Sequence, residues 1–179
     1  MPRNSEPKFS ESLLQFLFDW VGALVAALVA LVVLFIFLFR VVEVDGPSME
    51  DTLVDGDRLV LWTINYQPEY GDVVVVDRIS DKPLIKRVIG LGGDTVKVTV
   101  DAVYVNGELI NEPYLTGRYP NVPNNIEVTV PEGCVFVMGD HRNNSSDSRS
   151  DTIGCIAEED LVGKVMFRFF PLTAIGVVE

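Results

Sequence analysis

Chemistry in this 179-residue chain can reside in a hydroxyl, an amine and one polar loop. Gly46-Pro47-Ser48-Met49 is a small-residue turn that sets a hydroxyl beside a long apolar side chain. A serine after proline is commonly a turn or cap residue, and becomes a nucleophile only with a base at hand. Leu84-Ile85-Lys86-Arg87-Val88-Ile89-Gly90 offers such a base. Read as a strand, it puts Lys86 on one face with Leu84 and Val88, and Arg87 on the other with Ile85 and Ile89. A free lysine ammonium, with a pKa of about 10.4, keeps its proton at neutral pH, but desolvation among aliphatic side chains disfavours the charged form. Burial therefore brings the amine towards working range, whereas a lysine at a sheet edge simply snorkels.

The loop is Gly139-Asp140-His141-Arg142-Asn143-Asn144-Ser145-Ser146-Asp147-Ser148-Arg149, which holds no aliphatic side chain and directly follows the apolar run Cys134 to Met138. So polar a segment leaving an apolar strand suggests a hydrogen-bonded scaffold, in which Asp147 and Arg149 can pair and Ser145 can orient a neighbour. His141 is the only histidine, so a Ser-His-Asp arrangement has to use it, with Asp147 or Asp140 as partner. One His and two distant Cys do not make a zinc set, and no metal site is expected. Gly90-Leu91-Gly92-Gly93-Asp94 precedes a strand, not a helix, so it lacks the helix N-terminus that cradles a phosphate; no cofactor is expected.

These segments need elements to hold them. Trp20 to Phe39 carries no charge, and as a helix rising about 1.5 Å per residue it matches the roughly 30 Å hydrocarbon thickness of a bilayer. It is longer than a signal-peptide core and lacks a small-residue cleavage site, so it reads as a retained span, with Asp19 marking its border. Arg3 and Lys8 before the run outnumber Arg40 after it, which favours a cytoplasmic N-terminus and an exported body. The expected organisation is a tail over 1–19, a transmembrane helix over 20–39 and an extracytoplasmic domain over 40–179.

Past Arg40 the pattern becomes short β-branched runs punctuated by Gly, Pro, Asn and Asp, which predicts a mostly β domain. Candidate strands are Arg58 to Trp62, Asp72 to Arg78, Leu84 to Ile89, Thr95 to Val100, Ala102 to Val105, Glu108 to Ile110, Ile126 to Val130, Cys134 to Met138 and Val162 to Phe169. Asn106-Gly107 between apolar runs predicts a type I′ hairpin. Asn111 to Asn125, with three prolines and two tyrosines, reads as an extended excursion, either a lid or a long loop. Residues 1–40 carry three acidic and three basic residues, so the formal charge of −12 belongs to the body alone. Such acidity, with no basic run longer than Lys86-Arg87, disfavours nucleic-acid partners.

Taken in order, Gly46-Pro47-Ser48-Met49 with Thr52-Leu53, Gly56-Asp57, Gly71-Asp72-Val73-Val74, Lys86-Arg87-Val88-Ile89-Gly90 and Gly139-Asp140 through Asp147-Ser148-Arg149 resemble the type I signal peptidases, membrane-anchored serine proteases that remove signal peptides from exported proteins. The resemblance runs from the apolar run to about Phe169. It implies a signal-peptidase/LexA-like β-fold catalytic domain, a nucleophilic Ser48, Lys86 as general base, and an acyl-enzyme. It further implies that Ser145 bonds the lysine, that Asp147 and Arg149 form a structural ion pair, and that Val42, Val44, Met49, Leu53, Leu84 and Ile85 line shallow pockets selecting Ala-x-Ala-like segments. Its partners are then preprotein signal peptides and the lipid bilayer of the cell membrane.

The chain departs from that pattern at several positions. Gly46 stands where some members carry a hydroxyl that helps hold the oxyanion, Asp51 and Gly92 each replace a common Pro, and His141 and Asn143 replace a common Asn and Asp. Two other readings are a non-catalytic, membrane-tethered β-domain that binds peptides at a sheet edge, and a LexA-like self-cleaving protein. Cys134 and Cys155 flank the polar loop, and their pairing is open at this level.

Overall fold

The computed structural model describes residues 9–50, 52–77, 82–116 and 120–178, so Arg3, Lys8, Asp51, Arg78 and Tyr119 lie outside the described residues. The chain divides into two compact units, Met1–Leu38 and Phe39–Glu179.

The first unit holds one helix, α1 (Phe9–Leu38), within which Ser12–Ile36 is long and apolar enough to cross a membrane. Its side chains over that stretch are exposed, and apolarity extends all round the helix, leaving no polar face. Asp19 lies inside this helix instead of at its border. Leu13, Leu14, Phe16, Leu17 and Phe18 continue the apolar run upstream, and one carboxylate does not interrupt the backbone ladder. At the other end Phe39, expected as the last residue of the span, already belongs to a strand.

The second unit is built from antiparallel strands: β1 (Phe39–Glu43), β2 (Arg58–Trp62), β3 (Val73–Val76), β4 (Leu84–Leu91), β5 (Thr95–Val98), β6 (Val103–Val105), β7 (Glu108–Leu109), β8 (Ile126–Thr129), β9 (Cys134–Met138), β10 (Ile156–Ala157), β11 (Leu161–Phe170) and β12 (Gly176–Val177). One sheet runs β1-β2-β11-β3-β4-β9-β10, with β12 paired to β11, and a second runs β7-β6-β5-β8. The unit is mostly β, as its punctuation predicted.

Val73-Val74-Val75-Val76 explains the position of β3. All four valines are buried, Val73 and Val75 in a core with Val44, Met49, Leu53, Leu59, Leu61, Ile85 and Val165, and Val74 and Val76 in another with Val88, Val135, Val137 and Ile156. A strand covered on both faces reads as a continuous apolar run, and this one sits centrally, between β11 and β4. Its register with β4 places Val74 opposite Lys86 and Val73 opposite Arg87. Two cations are thereby committed to a buried strand.

The third core packs the second sheet against β4 and β9, through Ile89, Val96, Val98, Val103, Val130, Phe136 and Met138. A side chain at Gly90 would put its Cβ 2.5 Å from Val96 Cγ2, and the pairing of β4 with β9 shifts register between Val88 and Gly90. The missing side chain lets the strand bend where the two sheets meet. The predicted hairpin forms, with Asn106 and Gly107 at φ 55° and 84° between Val105 and Glu108.

Candidate active site

Ser48 sits in the loop between β1 and β2, and that loop is fixed by the apolar residues around the hydroxyl. Met49 and Leu53 are almost fully buried in the core that also holds Val44 and Ile85. Burying one such side chain stabilises by about 1.5–3 kcal/mol, enough to hold a short loop in one place. Turn bonds from Thr52 N and Leu53 N to Met49 O close the segment. Gly46 adopts φ 95°, and its N–H donates to Asp55 Oδ1 at 2.7 Å.

Lys86 reaches this loop from β4. Its ammonium donates to Ser48 Oγ at 2.7 Å and to the Ile85 carbonyl at 2.9 Å. The side chain is 2% exposed, and desolvation lowers its pKa from 10.5 to about 8. Asp147 and Asp140 nearby oppose this shift and Arg149 adds to it, but burial dominates. At about pH 7 roughly a tenth of such amines are neutral, against roughly 0.03% for an unperturbed lysine. In the neutral form the bond to Ser48 reverses, the hydroxyl donating and the amine accepting.

The polar loop after β9 is a buried scaffold, as its composition suggested: Asp140, Arg142, Asp147, Ser148 and Arg149 are all buried. Arg149 forks onto Asp147 through Nε to Oδ1 at 2.8 Å and Nη2 to Oδ2 at 2.7 Å, and its Nη1 donates to Arg142 O at 2.6 Å. Although burial pushes the Asp147 carboxyl up, the Arg149 fork outweighs it and holds the group below the usual carboxylate range. Asp147 Oδ2 also accepts from Gly139 N at 2.9 Å and from Ser145 Oγ at 2.7 Å.

The Ser145 hydroxyl donates to Asp147, while the hydrogen bonds of the Lys86 amine run to Ser48 Oγ and the Ile85 carbonyl. Gly139 is where loop and nucleophile meet. A Cβ there would lie 2.2 Å from Ser145 Oγ and 2.4 Å from Ser48 O, so only glycine admits the approach. The Ser48 carbonyl accepts from His141 N at 3.1 Å.

His141 does not complete a triad. Its Nδ1 lies 3.0 Å from Glu50 Oε2 and 3.2 Å from Pro47 O, whereas Asp147 is taken up by Arg149 and Asp140 by Arg87. Of the six residues expected to line pockets, Val44, Met49, Leu53 and Ile85 are buried in the core and expose little surface, while Val42 and Leu84 stay partly exposed. Val42 packs on the first core and Leu84 on the core behind β3 and β4, so the six do not form one continuous wall. Among the described residues no cluster of His, Cys, Asp and Glu could hold a metal. Cys134 and Cys155 are free thiols, and burial, then the neighbouring Cys134, pushes the Cys155 thiol up.

Several supporting residues escaped the sequence. Arg87 forks onto Asp140 at 2.9 and 2.7 Å, donates to Gly71 O at 2.8 Å, and lies 3.7 Å over the Tyr114 ring. Thr52 Oγ1 donates to the same Asp140. The only signal was an arginine beside Lys86 in a strand whose other residues are apolar, which demands a buried carboxylate without saying which.

The antiparallel β unit thus sets a serine hydroxyl in hydrogen-bond contact with a desolvated amine. The comparisons make this specific. The family model "Signal peptidase, peptidase S26" matches residues 17–170, and the chain belongs to that family. Signal peptidase I of Bacillus licheniformis is 40% identical over 172 residues, covering 89% of this chain and 91% of the relative. Signal peptidase I T of Bacillus subtilis is 40% identical over 165 residues (86% and 85%), and signal peptidase IB of Staphylococcus aureus 36% over 177 (88% and 91%). A solved signal peptidase I from Enterococcus faecalis aligns at 30% identity with a TM-score of 0.49, over 55% of this chain and 97% of that one.

Proposed function

We propose that the chain is a membrane-anchored serine endopeptidase that removes N-terminal signal peptides from exported preproteins, cutting after small residues in Ala-x-Ala-like segments. The observation that carries this reading is the 2.7 Å contact between Lys86 Nζ and Ser48 Oγ, with the amine drawn down to about 8 by burial. Family membership supplies the substrate class.

Neutral Lys86 takes the Ser48 proton as Oγ attacks the scissile carbonyl, and the backbone N–H of Ser48 donates to the developing oxyanion. The C–N bond then breaks as the Lys86 ammonium returns that proton to the leaving amine, leaving an ester on Ser48. The neutral amine next deprotonates water, hydroxide attacks the ester, and Oγ leaves with the proton from Lys86. Asp147 with Arg149 and Ser145 hold Gly139 against the nucleophile throughout.

Val42 contributes the exposed part of one substrate pocket, with Val44, Met49, Leu53 and Ile85 beneath it, and Leu84, packed on the other core, borders a separate one. β1, the terminal strand of its sheet, offers an edge to an extended peptide. Ser12–Ile36 crosses the cell membrane once, with the N-terminus cytoplasmic and Phe39–Glu179 outside. A tether at the bilayer raises the effective concentration of a site for substrates that are themselves membrane-inserted.

Replacing Ser48 by Ala should abolish cleavage of a signal-peptide-bearing precursor by the detergent-solubilised chain. Turnover that persists overturns the proposal, because cleavage then does not use the Ser48 hydroxyl, and a wild-type chain that cleaves nothing favours a binding domain.

A further inference from the structure

The excursion after β7 is tied to the polar loop through one buried arginine. Arg142 is 1% exposed; its Nη1 donates to Glu112 Oε2 at 3.0 Å and to Asn121 Oδ1 at 3.3 Å, and its Nη2 pairs with Glu112 Oε1. Glu112 also accepts from Tyr114 OH at 2.7 Å, and the ring of that tyrosine stacks on Arg87, the neighbour of Lys86. Asn121 fastens the far end, its N–H donating to Val100 O at 2.9 Å and its Nδ2 to Thr99 O at 2.8 Å.

The remaining bond of the guanidinium gives these contacts a use. Arg142 Nε donates to Gly139 O at 3.1 Å, at the residue that presses on the Ser48 carbonyl, and the same turn supplies His141 N to that carbonyl. We propose that Glu112 is a positioning residue for the cleavage reaction, holding Arg142 so that the Gly139–His141 turn keeps Ser48 at its distance from Lys86. This rests on Ser48 being the nucleophile. Glu112 touches neither substrate nor reacting atoms. It is the carboxylate that pairs with and orients a buried guanidinium, and without it the two terminal nitrogens keep only the longer bonds to Asn121 Oδ1 at 3.3 Å and Tyr114 OH at 3.5 Å.

The test is Glu112→Gln in the full, detergent-solubilised chain, with active sites titrated by a serine-acylating probe and precursor cleavage measured at steady state. The expected result is a kcat per titrated site lower by about 30- to 100-fold, the cost of a small misplacement of reacting groups, with KM changed by less than about twofold. Amide exchange at His141, the donor to Ser48 O, should accelerate about tenfold. An unchanged kcat per site, or unchanged exchange at His141, overturns the proposal.

If that variant does not fold, Tyr114→Phe decides. It keeps the ring over Arg87 and loses the hydroxyl's donation to Glu112 at 2.7 Å and its acceptance from Arg142 Nη2 at 3.5 Å, so kcat should fall about 3- to 10-fold and His141 exchange should rise; wild-type values for either overturn the role. Should the wild-type chain cleave no precursor, the proposed function fails, while exchange at His141 still decides whether the strap holds the turn.

Discussion

Replacing Lys86 by Met should leave a more stable and inactive protein. The native amine titrates at about 8 against an ordinary 10.5, and at about 1.4 kcal/mol per pKa unit the protonated lysine costs the folded state about 3 kcal/mol. Methionine nearly matches the stem in length and carries no charge, but it gives up the two bonds to Ser48 Oγ and Ile85 O, which at about 1 kcal/mol each returns about 2 kcal/mol. The net gain near neutral pH is therefore about 1 kcal/mol. Its sign depends on pH. Below about pH 8 the lysine is charged in both states and the penalty is complete; between 8 and 10.5 the unfolded chain binds the extra proton, so wild-type stability rises with pH and the penalty fades. Urea unfolding of the detergent-solubilised chain, followed by tryptophan fluorescence at about pH 7 and again at about pH 10, reads both quantities. A variant less stable than wild type near neutrality, or an advantage that does not shrink at the higher pH, refutes the desolvated lysine.

The same titration governs rate: kcat/KM for precursor cleavage should climb about tenfold per pH unit below the Lys86 value and level off above about pH 8, and a profile flat from pH 6 to 9 contradicts it. Gly139→Ala, whose methyl would fall 2.2 Å from Ser145 Oγ and 2.4 Å from Ser48 O, should cut kcat at least about 100-fold in steady-state assays. Asp147→Asn leaves Arg149 buried without its carboxylate and should destabilise by about 3–5 kcal/mol in a denaturant titration. His141→Ala keeps the backbone donor to Ser48 O and should stay within about tenfold of wild-type activity, whereas loss comparable to that of Lys86→Ala would restore a histidine base.

Strands whose β-branched residues fill a buried face could be read directly, and Arg58–Trp62 and Cys134–Met138 fall on the expected residues. β1, β10 and β12 could not. Phe39–Glu43 continues an apolar helix without a break in composition, and Ile156–Ala157 and Gly176–Val177 are too short to show a period. Ser48 and Lys86 stood out by residue type, yet they lie 38 residues apart and only the packing of the loop against β4 brings them to 2.7 Å. The partners of Arg87 and Arg142 were illegible for a similar reason, whereas Asp147 and Arg149, two residues apart, could be paired within the loop itself. Glu112 and Arg142, 30 residues apart, share no spacing pattern, because an ion pair formed by tertiary structure leaves no local periodicity. The resemblance named Met49 and Leu53 as pocket-lining residues, and the burial of both in the core beside the serine loop was not legible from the short turn that carries them.

The most direct test incubates a signal-peptide-bearing precursor with the solubilised wild-type chain and with Lys86→Ala, and reads the N-terminus of the product. A new terminus immediately after an Ala-x-Ala-like segment, formed by wild type and absent with the variant, is the predicted result. The same terminus released by Lys86→Ala at the wild-type rate would contradict a reaction driven by Ser48 and Lys86.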